Sequence, residues 1–267
     1  MLSTLSSLTH AKVGVLNPEG FPHLWQGETE NPQTHCFPAA MSNILMAVKP
    51  QVAQLKPLTH LGLEQALAHF MQTDRKGLGT ELDDCLEGLA HFLEQHAVPY
   101  KRIVYHGALN APQQYQLSHL PTEGQPPSLA SLKAILAKGE PCMGMLGWYY
   151  YNPQEGLYRR YGSHAVTIVG IEESVLTARK RLLVRDPNIT FPNPWHEPLL
   201  LRLPLKPLKQ NDTLYAKNSK EETAYFPLKT KGFYAVSRRL PMKPQGTVAI
   251  LEGFLHIEGL ANKKWIA

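Results

Sequence analysis

The chain has 267 residues, 43% of them hydrophobic and 18% charged, with a formal net charge of +5. That composition is enough to bury a core without disulfide or metal staples, and it excludes the disordered and fibrous classes. The basic residues are spread along the chain in short doublets such as Arg159-Arg160 and Lys263-Lys264, a pattern of solvated surface rather than of a nucleic-acid-binding face.

No stretch approaches the roughly 20 apolar residues that span a bilayer. The opening run MLSTLSSLTHAKVGV has no basic region ahead of its apolar residues, so no secretory signal is expected in the chain as given. The compartment stays open. Three cysteines, Cys36, Cys85 and Cys142, occur without CxxC spacing, which argues against a disulfide framework and a zinc ribbon. No metal and no organic cofactor is expected.

Residues 1 to 35 read as an irregular lead-in. The run CFPAAMSNILMAV then has helical spacing at Met41, Ile44, Leu45 and Val48. Pro38 fits only in a first turn, so the helix begins at about Cys36, and Lys49-Pro50 ends it. GTELDDCLEGLAHFLEQH predicts a second helix with Thr80 as N-cap and a stripe of Leu82, Leu86, Leu89 and Leu93. SLASLKAILAKG predicts a third, from Ser128 to Gly139. After Gly139 the period becomes that of strands, in PCMGMLGWYYY, SHAVTIVGIEE and RLLVRDP. Beyond Asn188 the proline-rich segments TFPNPWHEP and LRLPLKPLK read as loop, with strands at GFYAVSRR and TVAILEGFLHIEG. Helices before strands, without βαβ alternation, predict an α+β fold.

Cys36 opens a helix, where unpaired N–H groups and the helix dipole favour a thiolate and can hold an oxyanion. His164 begins the strand HAVTIVGIE, a rigid mount for a general base. Asp186 closes the next strand ahead of Pro187, and could stand behind the imidazole to fix its tautomer. Cys85 and Cys142 lie within apolar patterns and read as inert core thiols.

In that order the pieces CFPAA, HAVTIVGIE and VRDPN, with a glutamine upstream, resemble the papain-like cysteine peptidases, most closely their bacterial C39-like branch. The resemblance covers roughly residues 20 to 190. It implies a papain-like two-lobed fold, with an N-terminal helical lobe and a C-terminal antiparallel sheet lobe. Residues 1–195 would form the catalytic domain, and residues 196–267 a β-rich extension packed on it. It implies a peptidase or amidase that cleaves a peptide or isopeptide-like bond through a Cys36 thioester, with His164 as base and Asp186 orienting it. The partner is then a peptide or protein substrate. The family's oxyanion glutamine has two candidates, because Glu30 stands at the usual spacing from Cys36. Gln26 is favoured over Gln33, which has little chain with which to fold back over the thiol. Trp148 and Tyr149 are candidate substrate-binding aromatics, and Trp195 a shield for the His–Asp pair. Two other readings share this site: a transglutaminase-like acyltransferase using the same thioester, and an inactive protein that binds peptides in the cleft.

Overall fold

The helix expected at Cys36 spans Cys36–Val48 (α1) in the computed structural model, which describes residues 10–14, 17, 20–29, 31–75, 79–107, 122–124, 126–189, 200–217, 225–236, 240 and 243–260. α1 is buried on almost every face, so only its two ends are available for chemistry. Pro38 sits in its first turn, where no backbone donor is missed. Pro50 follows it in a single 3-10 turn, Lys49–Gln51.

Two helices cover α1. The first, α2 (His60–Phe70), has no counterpart in the periodicity reading; Thr59 caps it, accepting from the Gly62 N–H at 3.0 Å. The second, α3 (Leu82–Gln95), carries the expected leucine stripe. Its N-cap is Glu81 with no side-chain bond, because the Thr80 hydroxyl is taken by the Thr73 hydroxyl at 2.7 Å. Gly88 lets α3 approach the end of α2, since a Cβ there would fall 2.4 Å from the Phe70 carbonyl oxygen. The fourth helix, α4 (Leu129–Leu136), is capped by Ser128 as its sequence suggests.

Eleven strands among the described residues join one mixed sheet. They are β1 (His10–Gly14), β2 (Arg102–Gly107), β3 (Thr122–Gly124), β4 (Cys142–Asn152), β5 (Leu157–Ser174), β6 (Lys180–Arg185), β7 (Leu200–Pro207), β8 (Thr213–Lys217), β9 (Tyr225–Lys229), β10 (Tyr234–Val236) and β11 (Thr247–Glu258). The architecture is therefore α+β. It departs from a simple helices-then-strands order: β1 precedes α1 within the supposed irregular lead-in, and β2 and β3 fall between α3 and α4. LRLPLKP, read as loop, is β7. Pro204 stands opposite Arg181 of β6, and β10 pairs only with residues 205–207. The ladder therefore never asks Pro204 for a donor on its second side.

Six strands close on themselves. β4 pairs with β5, β5 with β6, β6 with β7, β7 with β10, β10 with β11 and β11 with β4, every pair antiparallel. Strand alternation then divides the apolar side chains between two cores. Leu146, Trp148, Val166, Ile168, Leu182, Val184, Leu203, Val236, Leu251 and Phe254 pack together inside the ring, and Leu129, Leu132 and Leu136 of α4 join them. Met143, Met145, Tyr149, Ala165, Ile250 and Leu255 point outward into the core made with α1, α2 and α3. Strands from both sides of the expected 195/196 boundary belong to this ring, and the boundary itself lies outside the described residues.

Candidate active site

α1 lies across the outer face of the ring, and the Thr167 hydroxyl of β5 donates to the Ala40 carbonyl at 2.8 Å. This bond, one turn into the helix, sets where Cys36 stands relative to β5. His164 lies three residues before Thr167 on the same strand. Thr167 pairs with Arg185, so Asp186 projects from the end of β6 toward His164. The His164 Nε2 and Asp186 Oδ1 are 2.7 Å apart. With Nε2 engaged, Nδ1 is the ring nitrogen left for the Cys36 sulfur, and Cys36 is close enough to act electrostatically on the His164 ring. Three elements far apart in sequence thus deliver sulfur, imidazole and carboxylate in a line.

Burial by itself would strip the proton from His164. The Asp186 carboxylate and the contact with Cys36 outweigh it and raise the pKa to about 10. The imidazolium therefore persists across the neutral range. Burial pushes the thiols of Cys85 and Cys142 well above the ordinary cysteine range. Exposure follows the same division: Cys36 is partly exposed, while Cys85 and Cys142 are buried. His164 and Asp186 are also buried, so a reactant reaches the line from the sulfur side.

The two glutamines separate cleanly. Gln33 is exposed in the turn before α1. Gln26 is fully buried. Its backbone N–H donates to the Pro187 carbonyl at 2.7 Å, and its side-chain amide donates to the Pro32 carbonyl. It is therefore fastened between the turn after Asp186 and the turn before Cys36.

The expected aromatic ligand wall is not open. Trp148 is buried inside the ring, its plane 15° from that of His164 and the centroids 6.0 Å apart. Tyr149 is buried on the outer side and donates to Glu252 Oε1 at 2.6 Å. Alternation at the end of β4 turns Trp148 into the core inside the ring and Tyr149 into the core shared with the helices, and both are buried there. Trp195 lies outside the described residues.

Two supports were not legible in the sequence. His35, next to Cys36, has both ring nitrogens engaged: its Nδ1 lies 2.6 Å from Glu64 Oε1 and its Nε2 2.7 Å from Asp74 Oδ2. Burial opposes its charge, but the two carboxylates prevail and raise its pKa to about 9. Asp74 also accepts from Thr34 and Asn31, so the turn leading to Cys36 is tied down at three residues. His23 ties the other side, its Nε2 3.0 Å from the Ile189 carbonyl just beyond Asp186. Both partners are distant in sequence, and no spacing rule points to them.

Compared with known proteins, the chain matches no family model and no curated protein. Among the described residues no group of histidines, cysteines and carboxylates is arranged to hold a metal ion, and no helix is long and apolar enough to cross a membrane.

Proposed function

We propose that the chain is a papain-like cysteine hydrolase acting on a peptide or isopeptide-like amide. The observation that carries this reading is the buried His164–Asp186 pair at 2.7 Å, with the partly exposed Cys36 thiol acting electrostatically on the same ring. The helices on one side of the line and the closed antiparallel ring on the other agree with the two-lobed fold the resemblance implies.

The Cys36 sulfur attacks the substrate carbonyl carbon, and the carbonyl oxygen takes the displaced electron pair. Backbone N–H groups of Cys36 and Phe37, which the first helical turn leaves without intrahelical partners, face a developing oxyanion. Gln26 is the side chain we assign beside them. The imidazolium of His164 passes its proton to the amide nitrogen, the C–N bond breaks, and the amine leaves a thioester on sulfur. His164, now neutral, takes a proton from water as its oxygen attacks the thioester. The C–S bond then breaks, releasing the acid, and the sulfur regains its imidazolium partner. Asp186 holds the ring in the required tautomer throughout.

Covalent trapping tests this. A vinyl-sulfone or epoxysuccinyl probe is expected to label wild type at Cys36 and to leave Cys36→Ala unlabelled. Labelling that persists in the variant removes the proposed nucleophile. On a panel of peptides, release of free acid in water supports hydrolysis, whereas product only with added amine makes the chain an acyltransferase.

A further inference from the structure

At the far end of β5, ten residues beyond His164, the hairpin into β6 holds two apolar side chains out in solvent. Val175 is 73% exposed and Leu176 77%. They are two of the four large hydrophobic residues exposed among the described residues, and the other two, Tyr150 and Tyr161, rest edge to face on each other at 5.3 Å. The hairpin is firmly closed. Ser174 N–H donates to the Arg179 carbonyl at 2.9 Å, and Ala178 N–H to the Ser174 carbonyl at 3.0 Å. The Ser174 hydroxyl oxygen accepts from the Thr177 N–H and hydroxyl. Ala178 takes a left-handed conformation, φ 51°, which a residue with a Cβ adopts only where its surroundings enforce it. A turn built this tightly presents Val175 and Leu176 in fixed positions.

Behind the tip lies a cationic base. Lys12, Arg181 and Arg202 converge on Glu172, at 3.4, 4.0 and 3.4 Å. Lys133 and Lys180 converge on Glu173, the latter at 3.4 Å, and Arg179 is exposed at the neck of the turn. Six cations against two carboxylates leave an excess of four positive charges directly beneath two protruding aliphatic groups.

We infer that the β5–β6 hairpin is a docking point for an anionic lipid surface, with Val175 and Leu176 entering the headgroup boundary while the basic base meets the acidic headgroups. The shape favours lipid over an acidic protein. A stable protein interface needs on the order of 600 Å² or more on each side, which a convex two-residue tip does not offer. A lipid layer asks only for a protruding apolar point with basic residues around it. The tip is on the order of 30 Å along the strand from His164, so docking leaves Cys36 open to its reactant.

The test is co-sedimentation of the full chain with vesicles of phosphatidylcholine alone and of equal parts phosphatidylcholine and phosphatidylserine. Binding is expected only with phosphatidylserine and is expected to weaken as salt rises. The double variant Val175→Asp/Leu176→Asp should bind at least about tenfold more weakly, and Arg179→Ala about fivefold more weakly. Reaction of Cys36 with iodoacetamide should be unchanged in both, reporting an intact fold whatever the chemistry of the site. If the aspartate pair lowers the melting temperature, Val175→Ser/Leu176→Ser replaces it with the same expected loss. Equal sedimentation with both vesicle types, tip variants that bind like wild type, or retention on heparin without vesicle binding would each overturn the inference.

Discussion

Trp148 lies nearly parallel to His164, 6.0 Å from it between centroids, so the floor beneath the imidazole is an indole rather than water or an aliphatic chain. Both side chains come from paired strands of the ring, Trp148 opposite Gly162 and His164 opposite Leu146. The indole therefore limits how far the imidazole can tilt away from sulfur. Trp148→Ala is expected to lower stability by about 3–5 kcal/mol, because it empties a buried site. Trp148→Phe should keep the fold and slow iodoacetamide alkylation of Cys36 by about tenfold to a hundredfold, as for a reacting pair displaced by an ångström. Alkylation as fast as wild type in the Phe variant would deny the indole a positioning role.

Thiol mapping gives a sharper contrast. Near neutral pH, iodoacetamide should modify Cys36 alone, with Cys85 and Cys142 unreacted until the chain unfolds, because burial both shields them and disfavours their thiolates. Peptide mass mapping reads the sites directly. In His164→Gln the Cys36 rate should fall toward that of an unassisted thiol.

Asp186→Asn keeps the size of the side chain and removes the charge that sustains the imidazolium. Probe labelling at Cys36 is expected to drop by about 10²–10⁴-fold while the fold persists. The Asn188 N–H bond to Oδ1 at 3.0 Å can be kept by an amide oxygen. A labelling rate within a factor of two of wild type would show that the carboxylate is structural.

Stability should depend on pH at both ends of the range. The folded pKa of His164 is raised from 6.5 to about 10 and that of His35 to about 9. The folded state therefore holds protons that the unfolded chain has lost, and the stability they contribute is complete below about 6.5. It declines as pH rises through 9 and 10. His60 and His256 run the other way, lowered to about 4 by burial first and then by neighbouring positive charge. Their contribution is present above 6.5 and is lost as pH falls toward 4. Chemical denaturation from pH 4 to pH 10.5 should give a maximum near neutrality, and His164→Gln should flatten the alkaline limb. An alkaline limb unchanged in that variant would mean that His164 is not held as the cation.

A buried ion pair braces the mouth of the ring. Arg160 meets Glu252 at 2.7 and 3.0 Å, and Tyr149 donates to the same carboxylate. Glu252 occupies the irregular step where β11 slips against β4, which turns its side chain to the outer face. Glu252→Ala is expected to cost about 3–5 kcal/mol by leaving Arg160 without its carboxylate. Gly147→Ala should also destabilise, since its Cβ would stand 2.1 Å from Glu252 Oε1. Thermal melting checks both.

The sequence made α1, α3, α4, the long central strands and the line of Cys36, His164 and Asp186 legible, because each rests on local periodicity or on a residue type that is informative at an element's end. What stayed hidden depends on non-local pairing. β7 was obscured by Pro204 and Pro207, each of which is paired on one side only, and α2 by a modest apolar pattern lacking the leucine stripe of α3. The clamp of His35 between Glu64 and Asp74 joins residues whose proximity only the packed helices create. Trp148 and Tyr149 were misread because strand position does not reveal which side of a closed sheet is filled.

β4 shares one edge with β5 and the other with β11, so the strand beside His164 stays half-zipped until residues 247–258 have been made. During synthesis Cys36 leaves the ribosome long before the segment that closes the cylinder. The nascent chain therefore carries the Cys36 thiol without a finished scaffold around the imidazole. Any reactivity that depends on the ring around His164 can therefore appear only after that closing segment has been made.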